Sequence, residues 1–270
     1  MQTVIDIEQV KTRDGSICLY AKSGVSLGKA GRPVLLMIHG ALRNSEVLFD
    51  WIPLCDPDFD VVCVDLPGHG RSPTILDVTI DRFAENIGDV VTTVLSTRRV
   101  VVVGESLGGL VALAMGGGAI PSINGIVAAD PPMTMAKLWH VRAALSSAIA
   151  SDPTNKFLQA LALNIFGVGS DGAVHERIYY HLIDQARKPI LVLTGDVPLL
   201  PPRNINAVPC LVDDVDRYVM DRLAANNVCF EVVSGCGHVL LVDAKERCRN
   251  VIARFCESAL LSRAIGSPSR

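Results

Sequence analysis

A serine set between glycines, Gly104-Glu105-Ser106-Leu107-Gly108, follows four consecutive valines at 100–103 and precedes an apolar segment at 110–115. A serine hydroxyl is a weak nucleophile in water. Chemistry there needs a turn that exposes it, a base to take its proton and donors for the oxyanion that forms. G-x-S-x-G between a buried strand and a helix supplies the turn, because the small glycines let neighbouring backbone come close. The Leu107 amide, at the start of the following helix, is placed to donate to the oxyanion. A base is available in Ser234-Gly235-Cys236-Gly237-His238, a glycine turn after the last apolar run. An imidazole with an ordinary pKa of about 6.5 can take up that proton and return it to a leaving group near neutrality.

These groups have to be held by something. Apolar, β-branched runs bounded by turn residues recur at 34–39, 61–64, 100–103, 125–129, 190–194 and 228–233. Continuous runs of this kind predict strands buried on both faces. Between them lie helical patterns, such as 81–97, where Phe83, Ile87, Val90, Val91, Val94 and Leu95 form one apolar stripe. The alternation predicts an α/β chain with a mostly parallel central sheet flanked by helices. Segments 4–10 and 17–22, joined across Asp14-Gly15, read as a hairpin at the sheet edge.

The alternation breaks between Pro131 and Lys188, where helical patterns run without an intervening strand. Asp152-Pro153 predicts a helix start and Gly167 its stop, and a second helix is expected over 173–187. Such a block reads as a helical lid, inserted before the strand at 190–194, over the carboxyl ends of the strands. The expected organisation is a core of 1–132 and 189–270 with a lid of 133–188. Met133, Met135, Leu138, Trp139, Phe157, Leu161, Phe166, Tyr179 and Tyr180 are its apolar and aromatic side chains. They either line a pocket or pack lid on core. The tail 266–270 is expected to fray.

The motifs together resemble the α/β-hydrolase fold superfamily over most of the chain outside the lid. His39-Gly40-Ala41 is similar to the family's oxyanion loop, which implies Ala41 as the second oxyanion amide beside Leu107. Asp65-Leu66-Pro67-Gly68-His69-Gly70-Arg71-Ser72 resembles a loop that shapes the site without doing chemistry. Ser234 to His238 resembles the terminal turn that carries the family's catalytic base. The acid departs from the pattern, since Gly195-Asp196-Val197-Pro198 puts proline where the family places its carboxylate. Asp130, ending the preceding strand in Ala129-Asp130-Pro131-Pro132, matches the acid position of certain haloalkane dehalogenases, and Asp196 is the alternative. Asp213, Asp214 and a degenerate triad stay open behind them.

The resemblance implies a serine hydrolase that cleaves an ester, lactone or related carbonyl of a small to medium, partly apolar substrate through an acyl-enzyme. A cofactor-free C-C hydrolase, perhydrolase or acyltransferase would use the same framework. The missing standard acid also leaves room for a small-molecule receptor with weak turnover. Arg43, just past the oxyanion loop, is either a partner for a substrate carboxylate or a solvated surface group.

Composition narrows the classes further. In 270 residues, 49% hydrophobic and 20% charged, there is ample material for a large core. A net charge of -3 with scattered Lys and Arg excludes the basic footprint of a nucleic-acid binder. The glycine motifs lack both G-x-G-x-x-G and a P-loop lysine, so no nucleotide site is expected. The eight cysteines show no C-x-x-C spacing, and Cys236 with His238 alone makes no tetrahedral metal site. No cofactor or metal, no membrane span and a cytoplasmic location are expected, with a small molecule as partner and a monomer or homodimer as the working form.

Overall fold

The computed structural model describes residues 3–204, 206–223 and 227–261. Its strands are β1 (Ile5–Thr12), β2 (Gly15–Lys22), β3 (Val34–Ile38), β4 (Asp60–Val64), β5 (Val100–Glu105), β6 (Ile123–Ala129), β7 (Ile190–Gly195) and β8 (Val228–Val233). They form one sheet in the order β1-β2-β4-β3-β5-β6-β7-β8. β1 and β2 are the antiparallel edge hairpin, β2 runs antiparallel to β4, and every pairing from β4 to β8 is parallel. The carboxyl ends of β3 to β8 therefore lie along one edge, where open α/β sheets present their chemistry.

The helices are α1 (Trp51–Leu54), α2 (Ile80–Val94), α3 (Leu107–Gly116), α4 (Trp139–Ser151), α5 (Lys156–Phe166), α6 (His181–Asp184), α7 (Asp214–Leu223), α8 (Leu240–Asp243) and α9 (Lys245–Leu261). Side chains alternate across the central strands, so the continuous apolar runs divide into two cores. Val100 and Val102 join α2, α3 and residues of the 133–183 block on one face. Val101 and Val103 join Trp51, Leu241, Ile252 and Cys256 on the other. Both faces are covered, which is why β3 to β7 carry almost no polar side chains. All eight cysteines are free and seven are buried; Cys18, Cys55, Cys63, Cys236, Cys248 and Cys256 pack as small hydrophobes in the second core, while Cys229 is exposed. Among the described residues no helix is long and apolar enough to cross a membrane.

Three local expectations are corrected. α5 begins at Lys156, capped by the Asn155 side chain, while Asp152 ends α4; the Asn155 oxygen accepts the Leu158 amide, an N-cap bond that outcompetes the Asp-Pro signal. Gly167 does end α5, in left-handed conformation at φ 69. Segment 173–187 is not a long helix. Val174 and Ile178 form isolated bridges to Val168 and Thr134, and only His181–Asp184 is helical. β8, expected to be buried on both faces, is half-exposed because it is the free edge of the sheet. The tail at 266–270 lies outside the described residues.

Candidate active site

Ser106 stands at the carboxyl end of β5 with φ 57 and ψ -118, a left-handed conformation that a non-glycine residue adopts only where its surroundings enforce it. The enforcement comes from the glycines. A Cβ on Gly104 would lie 1.9 Å from the Gly108 carbonyl oxygen, and one on Gly108 would lie 2.4 Å from that of Ile38. Strand, turn and helix thus meet through bare backbone. The Leu110 amide donates to the Ser106 carbonyl at 3.2 Å, so the helix starts directly beneath the half-buried hydroxyl.

Beside it, the loop after β3 carries Gly40 against the Ser106 side chain, where a Cβ on Gly40 would meet that of Ser106 at 3.2 Å. His39 is fully buried and ties this loop to the next. Its Nδ1 donates to the Gly40 carbonyl at 2.7 Å and its Nε2 accepts the Leu66 amide at 3.1 Å. Burial, helped by the neighbouring His69, depresses its pKa to about 4, so it is a neutral staple. Leu42 follows with φ 59, which turns the loop outward after Ala41.

The carboxylates separate clearly. Asp130 sits at the end of β6 with φ 46 and is fully inaccessible to solvent. Its Oδ2 accepts from His238 Nδ1 at 2.6 Å and from the Leu211 amide at 2.7 Å. Its Oδ1 accepts from Thr194 Oγ1 at 2.9 Å and the Val212 amide at 3.1 Å. Asp196 is exposed and bonds Ser234 Oγ and the Gly235 amide, each at 2.7 Å. It braces the turn that leads to His238 without touching the ring. Asp213 pairs with Lys137 at 2.8 Å and Asp214 with Arg217 at 2.5 Å, so both are engaged elsewhere.

His238 is positioned by backbone as much as by Asp130. Its amide donates to the Val208 carbonyl at 3.1 Å, and a Cβ on Gly237 would lie 1.8 Å from that same oxygen. Burial drives its pKa down, but the Asp130 hydrogen bond and charge, with Glu105, outweigh burial and leave it above the ordinary histidine value. No hydrogen bond joins His238 to Ser106 in this structure; the ring's hydrogen bond runs through Nδ1 to Asp130.

Sequence reasoning missed Glu105. The position reads as filler in G-x-S-x-G, yet the side chain is buried, with Oε1 accepting the Leu241 amide at 3.1 Å and Oε2 facing Arg43 at 3.3 Å. Burial pushes its carboxyl up, opposed by His238, the Leu241 amide and Arg43. The available signal was a carboxylate in an otherwise apolar strand end. Arg43, read as a substrate or surface group, is the half-buried partner of this carboxylate. Trp51 Nε1 holds the Leu241 carbonyl at 2.7 Å, so the segment after His238 is clamped from both sides. The Leu211 and Val212 amides were equally illegible, because backbone donors leave no mark in sequence.

Of the 133–188 side chains, Met133, Met135, Leu138, Leu161, Phe166 and Tyr179 are buried in the same layer as α2 and α3. Phe157 packs its ring against Gly68 and edge-on to His69 at 5.5 Å. Trp139 is 63% exposed. A cavity of about 360 Å³ lies beside the loop over Asp130, lined by Val197, Leu199, Cys210, Val212 and Lys137 among others; neither Ser106 nor His238 lines it. Among the described residues no group of three His, Cys, Asp or Glu is arranged to hold a metal ion.

Residues 35–251 match the model of the Alpha/beta hydrolase family. A pimeloyl-[acyl-carrier protein] methyl ester esterase of Methylococcus capsulatus is 32% identical over 105 residues, which are 37% of this chain and 39% of that protein. A 2-succinyl-6-hydroxy-2,4-cyclohexadiene-1-carboxylate synthase of Serratia proteamaculans is 32% identical over 97 residues, 35% of this chain and 36% of that one. An uncharacterized hydrolase of Saccharomyces cerevisiae is 30% identical over 87 residues, 32% of this chain, and the match spans 29% of its length. The chain thus matches about a third of the length of these curated relatives. In fold it is similar to the carboxylesterase CesB of Bacillus subtilis, with TM-score 0.66, 18% identity and coverage of 94% and 92% of the two chains.

Proposed function

The chain belongs to the alpha/beta hydrolase family, and on that footing we propose that it is a serine hydrolase whose triad is Ser106, His238 and Asp130. The observation that carries the reading is the buried Asp130 carboxylate, bonded to His238 Nδ1 at 2.6 Å on the sheet edge that also presents the strained Ser106. With Nδ1-H committed to Asp130, the lone pair of the neutral ring is on Nε2. Nε2 takes the proton of Ser106 Oγ as that oxygen bonds to the substrate carbonyl carbon. The Ala41 and Leu107 amides then hold the oxyanion. The tetrahedral species collapses, the bond to the leaving alkoxide breaks, and His238 returns the proton to it. Water repeats the sequence on the acyl-enzyme and releases the acid, so atoms and charge balance with water as the only co-reactant. The Ser106–His238 hydrogen bond forms in the substrate complex, because catalytic bonds are often unmade in free enzymes.

The substrate class proposed is a small to medium, partly apolar ester, lactone or related carbonyl compound. Esterase relatives and esterase folds support hydrolysis of an ester. The receptor reading drew on the missing standard acid, and the carboxylate at the end of β6 bonded to His238 favours the enzyme reading over it. The 133–188 block is read as a cap over the carboxyl ends, with Phe157 seated on the Gly68 loop as its footing. The test is intact mass after incubation with a fluorophosphonate, on wild type and Ser106→Ala. One adduct on wild type alone is expected. A folded wild type that takes no adduct would sink the hydrolase reading.

A further inference from the structure

Three consecutive amides in the segment between β7 and α7 are divided between two carboxylates. Leu211 and Val212 donate to Asp130 at 2.7 and 3.1 Å, and Asp213 donates to Asp216 Oδ2 at 3.0 Å. Asp216, in the first turn of α7, returns its own amide to Asp213 Oδ1 at 3.0 Å, the reciprocal pattern of a capping box. A helix cap needs no further partners, yet Asp216 is fully inaccessible to solvent and takes two more from the 133–188 block. The Tyr180 hydroxyl donates to Oδ1 at 2.5 Å, and the Lys137 ammonium donates to Oδ2. Lys137 also pairs with Asp213 at 2.8 Å. Burial pushes the Asp216 carboxyl up, opposed by Lys137, Tyr180 and the Asp213 amide. A carboxyl is tolerated at such a depth only with donors of this kind.

The two outside donors come from segments that brace each other. Thr134 and Ile178 form a bridge, the Met135 amide donates to the Arg177 carbonyl at 3.1 Å, and the Tyr179 amide donates to that of Met133 at 2.9 Å. Glu176 Oε1 accepts the Met135 and Ala136 amides at 2.9 and 3.0 Å. Lys137 and Tyr180 are thus presented from one ladder. The 211–213 stretch has less support on its other side, where Val212 and Asp213 border the cavity of about 360 Å³ that Lys137 also lines. Beside empty space, polar tethers hold a backbone that packing does not. The bonds run in one line from Lys137 and Tyr180 through Asp216, the 211–213 backbone and Asp130 to His238. Peptide planes are stiff, so a shift of the Asp213 amide moves the two before it.

We propose that Asp216 is a positioning residue for the triad acid: tied to the 133–188 block by Lys137 and Tyr180, it holds the Leu211 and Val212 amides on Asp130 and so sets the Asp130–His238 bond. This role deepens the hydrolase reading and rests on it for the catalytic part played by Asp130. Asp216 acts through backbone and not on the substrate, so its effect falls on kcat and not on KM.

Kinetics on 4-nitrophenyl acetate and proton NMR test it together. In Asp216→Ala, kcat is expected to fall about tenfold, the kinetic size of one weakened charge-assisted bond, with KM within about twofold. Asp216→Asn keeps an oxygen for the Asp213 amide, and the Tyr180 hydroxyl can turn to accept from its NH₂, so kcat should stay within about threefold. Tyr180→Phe should cost about threefold in wild type and nothing further in Asp216→Ala, because residues acting through one another are not additive. Asp214→Asn, which loses only a pair with Arg217 on the same helix, is the control. In NMR, the His238 Nδ1 proton shared with Asp130 should give a low-field resonance, absent from Asp130→Asn, that shifts in Asp216→Ala and Tyr180→Phe but not in Asp216→Asn or Asp214→Asn. That signal needs no turnover. Shifts of this pattern in an enzyme that hydrolyses nothing would keep Asp216 as the group that sets the bond and sink only the hydrolase reading. Wild-type kcat in a folded, active Asp216→Ala enzyme, an unmoved resonance in it, equal losses in Asp216→Ala and Asp216→Asn, or a Tyr180→Phe loss that adds to that of Asp216→Ala would each overturn the role. If Asp216→Ala does not fold, Tyr180→Phe decides alone, and an unmoved resonance there overturns it. A wild type without such a resonance overturns it as well.

Discussion

Asp130→Asn is the most informative single change, because it keeps the shape of the side chain and removes only charge and one acceptor. The carboxylate has four donors on two oxygens: His238 Nδ1 and the Leu211 amide on one, Thr194 Oγ1 and the Val212 amide on the other. An amide has one acceptor oxygen, and its NH₂ can only donate. If the nitrogen takes the place of Oδ2, it meets the Leu211 N-H and the His238 N-H. If it takes the place of Oδ1, the Thr194 hydroxyl can rotate to accept, but the Val212 N-H cannot. Either orientation leaves a buried amide without an acceptor, about 1–3 kcal/mol, and weakens bonds that were assisted by charge. The sum falls near the roughly 3–5 kcal/mol expected when one member of a buried charged pair is removed. At about 2–4 °C per kcal/mol for a chain of this size, the melting temperature should fall by about 10 °C. The catalytic loss should be larger in proportion. The same exchange lowers kcat about 10⁴-fold in the Ser-His-Asp template of the serine proteases, and a fall of at least about 10³-fold is expected here. The assay is kcat/KM on 4-nitrophenyl acetate across pH, with guanidinium unfolding of the same samples. In wild type the acid limb should lie above the ordinary histidine value, because Asp130 and Glu105 favour the charged ring; below it the ring is protonated and cannot act as a base. Asp196→Asn is the control, and since Asp196 is exposed and braces only Ser234 and Gly235, it should keep activity within about tenfold. A folded Asp130→Asn enzyme that keeps a tenth of wild-type turnover, or an Asp196→Asn enzyme that loses as much, would refute the assignment of the acid.

Glu105→Gln removes a negative charge that raises the His238 pKa, so the acid limb of kcat/KM should move to lower pH. An unmoved limb would mean that Glu105 is protonated in the working enzyme and serves only to clamp Leu241. Gly104→Ala places a Cβ 1.9 Å from the Gly108 carbonyl oxygen, where backbone cannot yield cheaply, and should lower stability by about 3 kcal/mol or more in guanidinium unfolding. Gly28→Ala, with no atom within 4 Å of the added methyl, should change it by less than about 1 kcal/mol, and comparable losses at the two sites would contradict the close-approach reading of the elbow.

The parts of this protein legible in its sequence were those governed by local rules. Valine runs between turn residues announce strands buried on two faces, and β3 to β7 are such strands. Gly104 and Gly108 announce a tight strand-to-helix turn because only a missing Cβ permits it, and Ser106 has the strained backbone that follows. Gly167 announced the end of α5 for a similar reason. Reading failed where long-range contacts overrule local preference. Segment 173–187 has a helical pattern, yet its backbone is engaged by Thr134 and Val168 from elsewhere in the chain.

The choice between Asp130 and Asp196 shows the division most sharply. Both directly follow strands, and the sequence ranks Asp130 first only through its resemblance to the acid position of certain relatives, with Asp196 as the alternative. Tertiary structure separates them because the β6 end lies between β5 and β7 in the sheet, and the loop after β7 returns its Leu211 and Val212 amides over Asp130. That carboxylate is thereby sealed from water, fixed by four donors and aimed at His238, while Asp196 remains in solvent. The candidacy of Ser106 and His238 is written in glycine spacing, which is local. Which aspartate meets His238, and the clamp made by Glu105, depend on which distant backbone and side chains arrive beside them, and only the folded chain decides that.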